Sequence, residues 1–256
     1  TVHTELEDPP VPAALQDRIA GLQAQGVKWV INTGRDLPAL LSGLNAARLS
    51  VRPDYLVVVE REVHVRQGDG FDSRLPWNER CRRDQADLFA RLEPGLAAVV
   101  AWIEDRFSAT IYADAFSPFC LIASSNADAD AILDHVARAF RHLPELAIVR
   151  NDIYARFSRS AYNKGTAMGE VARLAGCGRD SVFAAGDHYN DLPMLLQEHA
   201  RYLVAPANAI PEVKAQVERE GGLVSQLPWG HGVAAGLDFF LNAESSRAPR
   251  DRKSVV

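Results

Sequence analysis

Three short polar stretches stand where apolar strands hand over to helices. They are Asn32-Thr33-Gly34-Arg35, Asn163-Lys164-Gly165 and Gly186-Asp187-His188-Tyr189-Asn190-Asp191. The third places two carboxylates within one turn, after the buried run SVFAAG. Acids at such a corner cost burial energy unless a cation or a set of donors satisfies them. An all-oxygen set suits a hard cation such as Mg²⁺, which keeps waters and shares a substrate phosphate. The competing reading is a helix cap at Asn190 or Asp191 with an Asx turn at Asp187, which explains one acid more easily than two and a glycine. In the second stretch, Lys164 opens a helix and opposes its dipole. A bound phosphate would explain that placement, and so would a solvent-facing lysine beside a turn glycine. The first stretch offers the Thr33 hydroxyl and a close backbone approach at Gly34. Taken alone, it reads as a helix cap supplied by Asn32 or Thr33.

The elements that must position these residues alternate in type. PAALQDRIAGLQAQG puts Leu15, Ile19 and Leu22 on one helical face, VKWVINT is a strand, LPALLSGLNAARL a helix and DYLVVVE a strand. The pattern returns after residue 160: NKGTAMGEVARLAG, NDLPMLLQE, PEVKAQVERE and GVAAGLDFFLN are helical. SVFAAGD, RYLVAP and LVSQ between them are strands. Such alternation predicts a Rossmann-like parallel sheet covered by helices. The middle of the chain differs. Two helices broken at Pro94-Gly95 are expected from Trp77 to Phe107. Then come the strands SATIYADA and FCLIASS, a helix from Ala127 to Leu143, and the strands AIVRN and IYARFS. The order αββαββ implies an inserted α+β unit over 77–159, within an α/β core of 1–76 and 160–243, with a loose polar tail from 244 to 256. Alternation in YARFSR puts Tyr154 and Arg156 on one face, where they either meet a ligand or line a solvated sheet.

Composition narrows the function classes. A net charge of −5 argues against a nucleic-acid surface. No run nears the roughly 18 apolar residues of a membrane span, and TVHTELEDPPVP does not read as a signal peptide. Three scattered cysteines form no disulfide or zinc pattern, so the reading is a cytoplasmic, enzyme-like chain.

Taken in chain order, TGR at 33–35, NKG at 163–165 and GDHYND at 186–191 resemble the second, third and fourth motifs of the haloacid dehalogenase superfamily of phosphohydrolases. NKGTA, GDHYNDLPML and APANAIPEVK are particularly similar to its Cof-type and sucrose-phosphatase-like branch, in which a large α/β cap lies between the second and third motifs. The first motif, DxDGT, is not in this chain. Thr1 stands 32 positions before Thr33 and fits as the Thr that ends it. The expectation is therefore a natural protein carrying the motif just ahead of Thr1.

The resemblance implies Mg²⁺-dependent hydrolysis of a small phosphate ester, a sugar phosphate, through an aspartyl-phosphate formed on that upstream motif. It gives Lys164, Asp187 and Asp191 catalytic parts, with Asp187 as direct metal ligand and Asp191 beside the metal or orienting Lys164. Thr33, Gly34, Arg35, Lys164 and Asn190 would bind substrate, while His188 and Tyr189 would form the rim. The alternative is a catalytically inactive relative that binds a phosphate ligand or regulates.

Overall fold

The computed structural model describes residues 10–247; Thr1 lies outside them. Three sheets organise the described residues. In the first, β1 (Val30–Asn32) runs parallel to β2 (Tyr55–Val58), with Ile31 opposite Leu56. Helix α1 (Ala13–Ala24) leads in and α2 (Leu37–Ala47) makes the crossover. The sheet continues through an antiparallel hairpin, β3 (Glu62–Gln67) and β4 (Gly70–Ser73), which the sequence reading did not anticipate.

The second sheet is parallel throughout, in the order β11-β10-β9, formed by β9 (Phe183–Ala185), β10 (Tyr202–Ala205) and β11 (Leu223–Val224). Around it lie α5 (Lys164–Leu174), α6 (Pro211–Arg219) and α7 (Trp229–Arg247). Helix α7 continues through Arg247, so the loose tail expected from residue 244 begins inside a helix. The helix expected at NDLPMLLQE is a six-residue 3₁₀ helix, Tyr189–Met194. Pro193 has no N–H to carry an α-helical ladder onward, and short 3₁₀ turns tolerate that.

The third sheet is antiparallel, in the order β5-β6-β8-β7, with strands Thr110–Asp114, Ser117–Ile122, Leu146–Asn151 and Tyr154–Arg159 for β5, β6, β7 and β8. It packs under α3 (Leu75–Arg106) and α4 (Asn126–Ala139). Its core is its own: Leu88, Leu92, Val99, Ile103, Phe119, Ile132 and Phe157 are buried together. The expected break at Pro94-Gly95 does not occur, and α3 is one helix of 32 residues. Pro94 forfeits a ladder hydrogen bond, but Leu88 and Leu92 before it and Val99 and Ile103 after it are buried in one cluster, which keeps the two halves in line. The first turns of α3 tie this unit to the first sheet. The Asn78 side chain accepts from Val63 N and donates to Val63 O, both at 2.8 Å. Among the described residues no helix is long and apolar enough to cross a membrane.

Candidate active site

The corner after β9 is built around one carboxylate. Asp191 Oδ2 accepts from the backbone N–H groups of Asp187 (2.8 Å) and His188 (3.0 Å), which folds the turn back on itself. Its Oδ1 accepts from Lys164 Nζ at 2.6 Å, and both side chains are buried. Burial pulls the Lys164 pKa down, but the Asp191 and Glu60 carboxylates outweigh it and hold the amine above its ordinary value. The glycines of the two motifs make the approach possible. A Cβ on Gly165 would sit 2.2 Å from the Pro193 carbonyl oxygen, and one on Gly186 would sit 2.4 Å from Asp191 Cβ. Asn163 fixes the start of α5: its Oδ1 accepts from Gly165 N and Thr166 N at 2.9 and 3.0 Å.

The first polar stretch reaches the same place from β1. Asn32 Nδ2 donates to the Lys164 carbonyl at 3.0 Å, while its Oδ1 is buried without a hydrogen-bond partner. Thr33 Oγ1 accepts from Arg35 N at 3.2 Å. Neither residue caps α2; Asp36 does, accepting from Ala39 N at 2.8 Å. The cap explanation of Asn32 or Thr33 therefore fails.

Glu60 was not anticipated from the sequence. It follows β2 in left-handed backbone conformation (φ 67°), after Val59 at φ 43°. Its buried carboxylate lies beside Gly34 and accepts from Asn190 Nδ2 at 2.8 Å. Burial raises its pKa, against the opposing pull of Lys164 and the Asn190 hydrogen bond.

These groups open on a cavity of about 590 Å³. Asn32, Thr33, Gly34, Arg35, Glu60, Lys164, Asp187, Asn190 and Asp191 line it from the strand-to-helix corners, and Tyr112, Cys120, Tyr154 and Arg156 from the antiparallel sheet. Every residue expected to bind or react therefore lies on one cavity, and so do Tyr154 and Arg156. Arg35 is exposed at its edge. His188 lines the cavity, and Tyr189 turns outward to donate to Glu212 Oε1 at 2.9 Å. Arg159, at the end of the same strand as Tyr154 and Arg156, points away, donating to the Asp84 carbonyl at 3.0 Å. Burial pushes the Cys120 thiol up to about 11, which disfavours the thiolate a nucleophile needs.

The donor set can be compared with the needs of a metal. Among the described residues no three His, Cys, Asp or Glu side chains converge as ligands. Both oxygens of Asp191 are engaged, which fits an orienting part and leaves no oxygen without a partner for direct ligation. Asp187 accepts from Asn208 Nδ2 at 3.0 Å and contributes its carboxylate to the cavity. One carboxylate with waters and a ligand phosphate is within the habit of Mg²⁺.

The sequence matches the haloacid dehalogenase-like hydrolase family over residues 104–224. Among solved structures, the chain is similar to the sucrose-phosphatase of Synechocystis sp. PCC6803, with a TM-score of 0.69 and 16% identity, covering 88% of this chain and 89% of that one. A subclass IIB sugar phosphatase of the superfamily aligns with a TM-score of 0.61 and 18% identity over 90% of this chain and 92% of its own. A haloacid dehalogenase-like hydrolase from Bacteroides thetaiotaomicron aligns at 0.60 and 15%, covering 94% and 96%. The chain thus carries a haloacid dehalogenase-like hydrolase match over residues 104–224 and shares its fold with these proteins over most of its length.

Proposed function

We propose that this protein is a Mg²⁺-dependent phosphohydrolase acting on a small phosphorylated metabolite, a sugar phosphate. The observation that carries the reading is the buried Lys164–Asp191 pair, set with Asp187, Asn190 and Thr33 on a single cavity. A lysine buried at a helix start and held charged by an acid is costly as mere scaffold, and it is apt for gathering the charge of a phosphoryl group. Thr33 Oγ1 and Asn190 Nδ2 supply neutral donors beside it. Asp191 acts through Lys164, fixing its amine and the 187–188 backbone. Asp187 would hold the cation, which when bound screens the phosphate charge. The nucleophile and the acid/base pair are proposed to lie on the DxDGT motif ahead of Thr1.

The sugar assignment rests on the wall opposite in sequence, residues 77–159, which we read as a cap. Tyr112 and Tyr154 are 42% and 51% exposed although both line the cavity, and aromatic faces beside polar donors suit a sugar ring. Three unpaired cysteines suit a cytoplasmic setting. The test is hydrolysis of a sugar phosphate panel with Mg²⁺ or EDTA, run on this chain and on the natural full-length product. Activity in the longer form, abolished by EDTA and by Asp187→Ala, is expected. Full activity in purified Asp187→Ala overturns the site. Inactivity of both forms, with phosphate still raising the melting temperature, moves the reading to a non-catalytic binder.

A further inference from the structure

Arg156 sits in a row that crosses the whole antiparallel sheet. Tyr112 pairs with Cys120, Cys120 with Arg156, and Arg156 with Val149. Its Nη1 is buried and has no hydrogen-bond partner. Its Nη2 is 3.8 Å from Asp114 Oδ2, too far for a hydrogen bond. The neighbouring basic groups are engaged or solvated. Lys164 is paired with Asp191 and faces the opposite corner, where the first phosphate is placed. Arg150 is held by Asp130, by Asn126 Oδ1 at 2.7 Å and by the Asp152 carbonyl at 2.8 Å. Arg61 donates to the Val59 and Phe116 carbonyls at 3.2 and 3.0 Å. Arg35 is exposed, so water serves it.

A guanidinium cannot discharge itself by losing its proton, so a buried N–H without an acceptor is a standing demand for one. The two nearby carboxylates already have calls on them. Glu60 accepts from Asn190, and Asp114 Oδ1 accepts from Phe116 N and Ser117 N, both at 2.8 Å. The cavity is large enough for a ligand that touches both the Lys164 corner and this sheet. We propose that the ligand carries a second oxyanion, a carboxylate or another phosphate, on the part remote from the phosphoryl group, and that Arg156 binds it. The planar fork of Arg matches either group with two parallel hydrogen bonds. The inference deepens the phosphohydrolase reading and rests on it for the position of the first phosphate.

Two arms separate the inference from that reading. The first is calorimetric binding of sugar monophosphates, sugar bisphosphates and phosphorylated sugar acids to the full-length protein and to Arg156→Gln and Arg156→Lys. Wild type is expected to favour the doubly anionic compounds by at least about tenfold. Arg156→Gln should erase that preference and Arg156→Lys should restore part of it. The bisphosphates and sugar acids tell which oxyanion is preferred. The second arm measures kcat/KM for the same compounds, where the loss in Arg156→Gln should fall on KM of the doubly anionic esters. Equal binding of both classes by wild type, or a loss in Arg156→Gln shared equally between them, overturns the inference; the shared loss would mark Arg156 as an internal partner of Glu60. Selective, Arg156-dependent binding without hydrolysis would keep the inference and discard the phosphatase.

Discussion

Asp191 does two jobs with two oxygens, and its neighbours respond differently to its loss. Asp191→Asn keeps the shape but removes the charge that holds Lys164 ionised. Breaking such a buried pair costs about 3–5 kcal/mol, which denaturant unfolding at neutral pH should read. Lys164→Ala should lower kcat by about 10²–10³, the usual loss of one preorganised charge-stabilising donor, with KM changing less. Glu60 gives a pH signature. Its folded pKa lies above its ordinary value because of burial, so its stabilising contribution is complete below the ordinary carboxylate range and is lost as pH rises through the folded pKa. Stability curves should fall across that window in the wild type and flatten in Glu60→Gln, as thermal melts from pH 4 to 8 would reveal. A Glu60→Gln variant with an unchanged pH profile would contradict this account. Sequence alone could place Thr33, Lys164, Asp187 and Asp191 at corners, because glycines and polar residues interrupt apolar runs there. Glu60 carried no such mark. It follows VVV and precedes an arginine, and its left-handed backbone and burial exist only once β2 has turned into the β3–β4 hairpin.

The elements that could be read in advance were those with strong periods. Helices α1, α2, α4, α5 and α6 and the four strands of the antiparallel sheet follow the apolar spacing in SATIYADA, FCLIASS and the rest. What failed has local causes. EVHVR alternates, and QGDG supplies the turn, yet its charged and imidazole side chains hide a half-buried strand in which Glu62 is buried against Arg82 at 2.9 and 3.0 Å. Pro94 argues for a break, but packing on either side overrides it, a tertiary effect that a window of sequence does not contain. Pro94→Ala should therefore stabilise the protein by about 1–2 kcal/mol, the restored ladder bond being partly offset by the entropy a proline removes from the unfolded chain. A higher midpoint in urea with an unchanged slope would be the sign. Gly165→Ala is the opposite case. The Pro193 carbonyl stands where its methyl group would go, so α5 must shift and both stability and phosphate affinity should drop.

At the scale of the molecule, the antiparallel unit owns its core, while the parallel sheets share theirs with α1, α5, α6 and α7. Phe157→Ala, which empties a fully buried site in the former, should cost about 3–5 kcal/mol. Calorimetry should then show a low-temperature shoulder from the 75–159 unit, with the calorimetric enthalpy exceeding the van't Hoff value. The wall bearing Arg156 and Tyr154 would loosen first, ahead of the corner that bears Lys164. That corner also carries its own reporter. The amides of Asp187 and His188 hang on the Asp191 carboxylate and not on any strand or helix ladder. In a nitrogen–proton correlation spectrum these two resonances should lie far downfield, resist exchange with deuterium oxide, and move together whenever the charge facing Lys164 changes. Two peaks would thus signal ligand arrival at the heart of the protein without substrate turnover or an added probe.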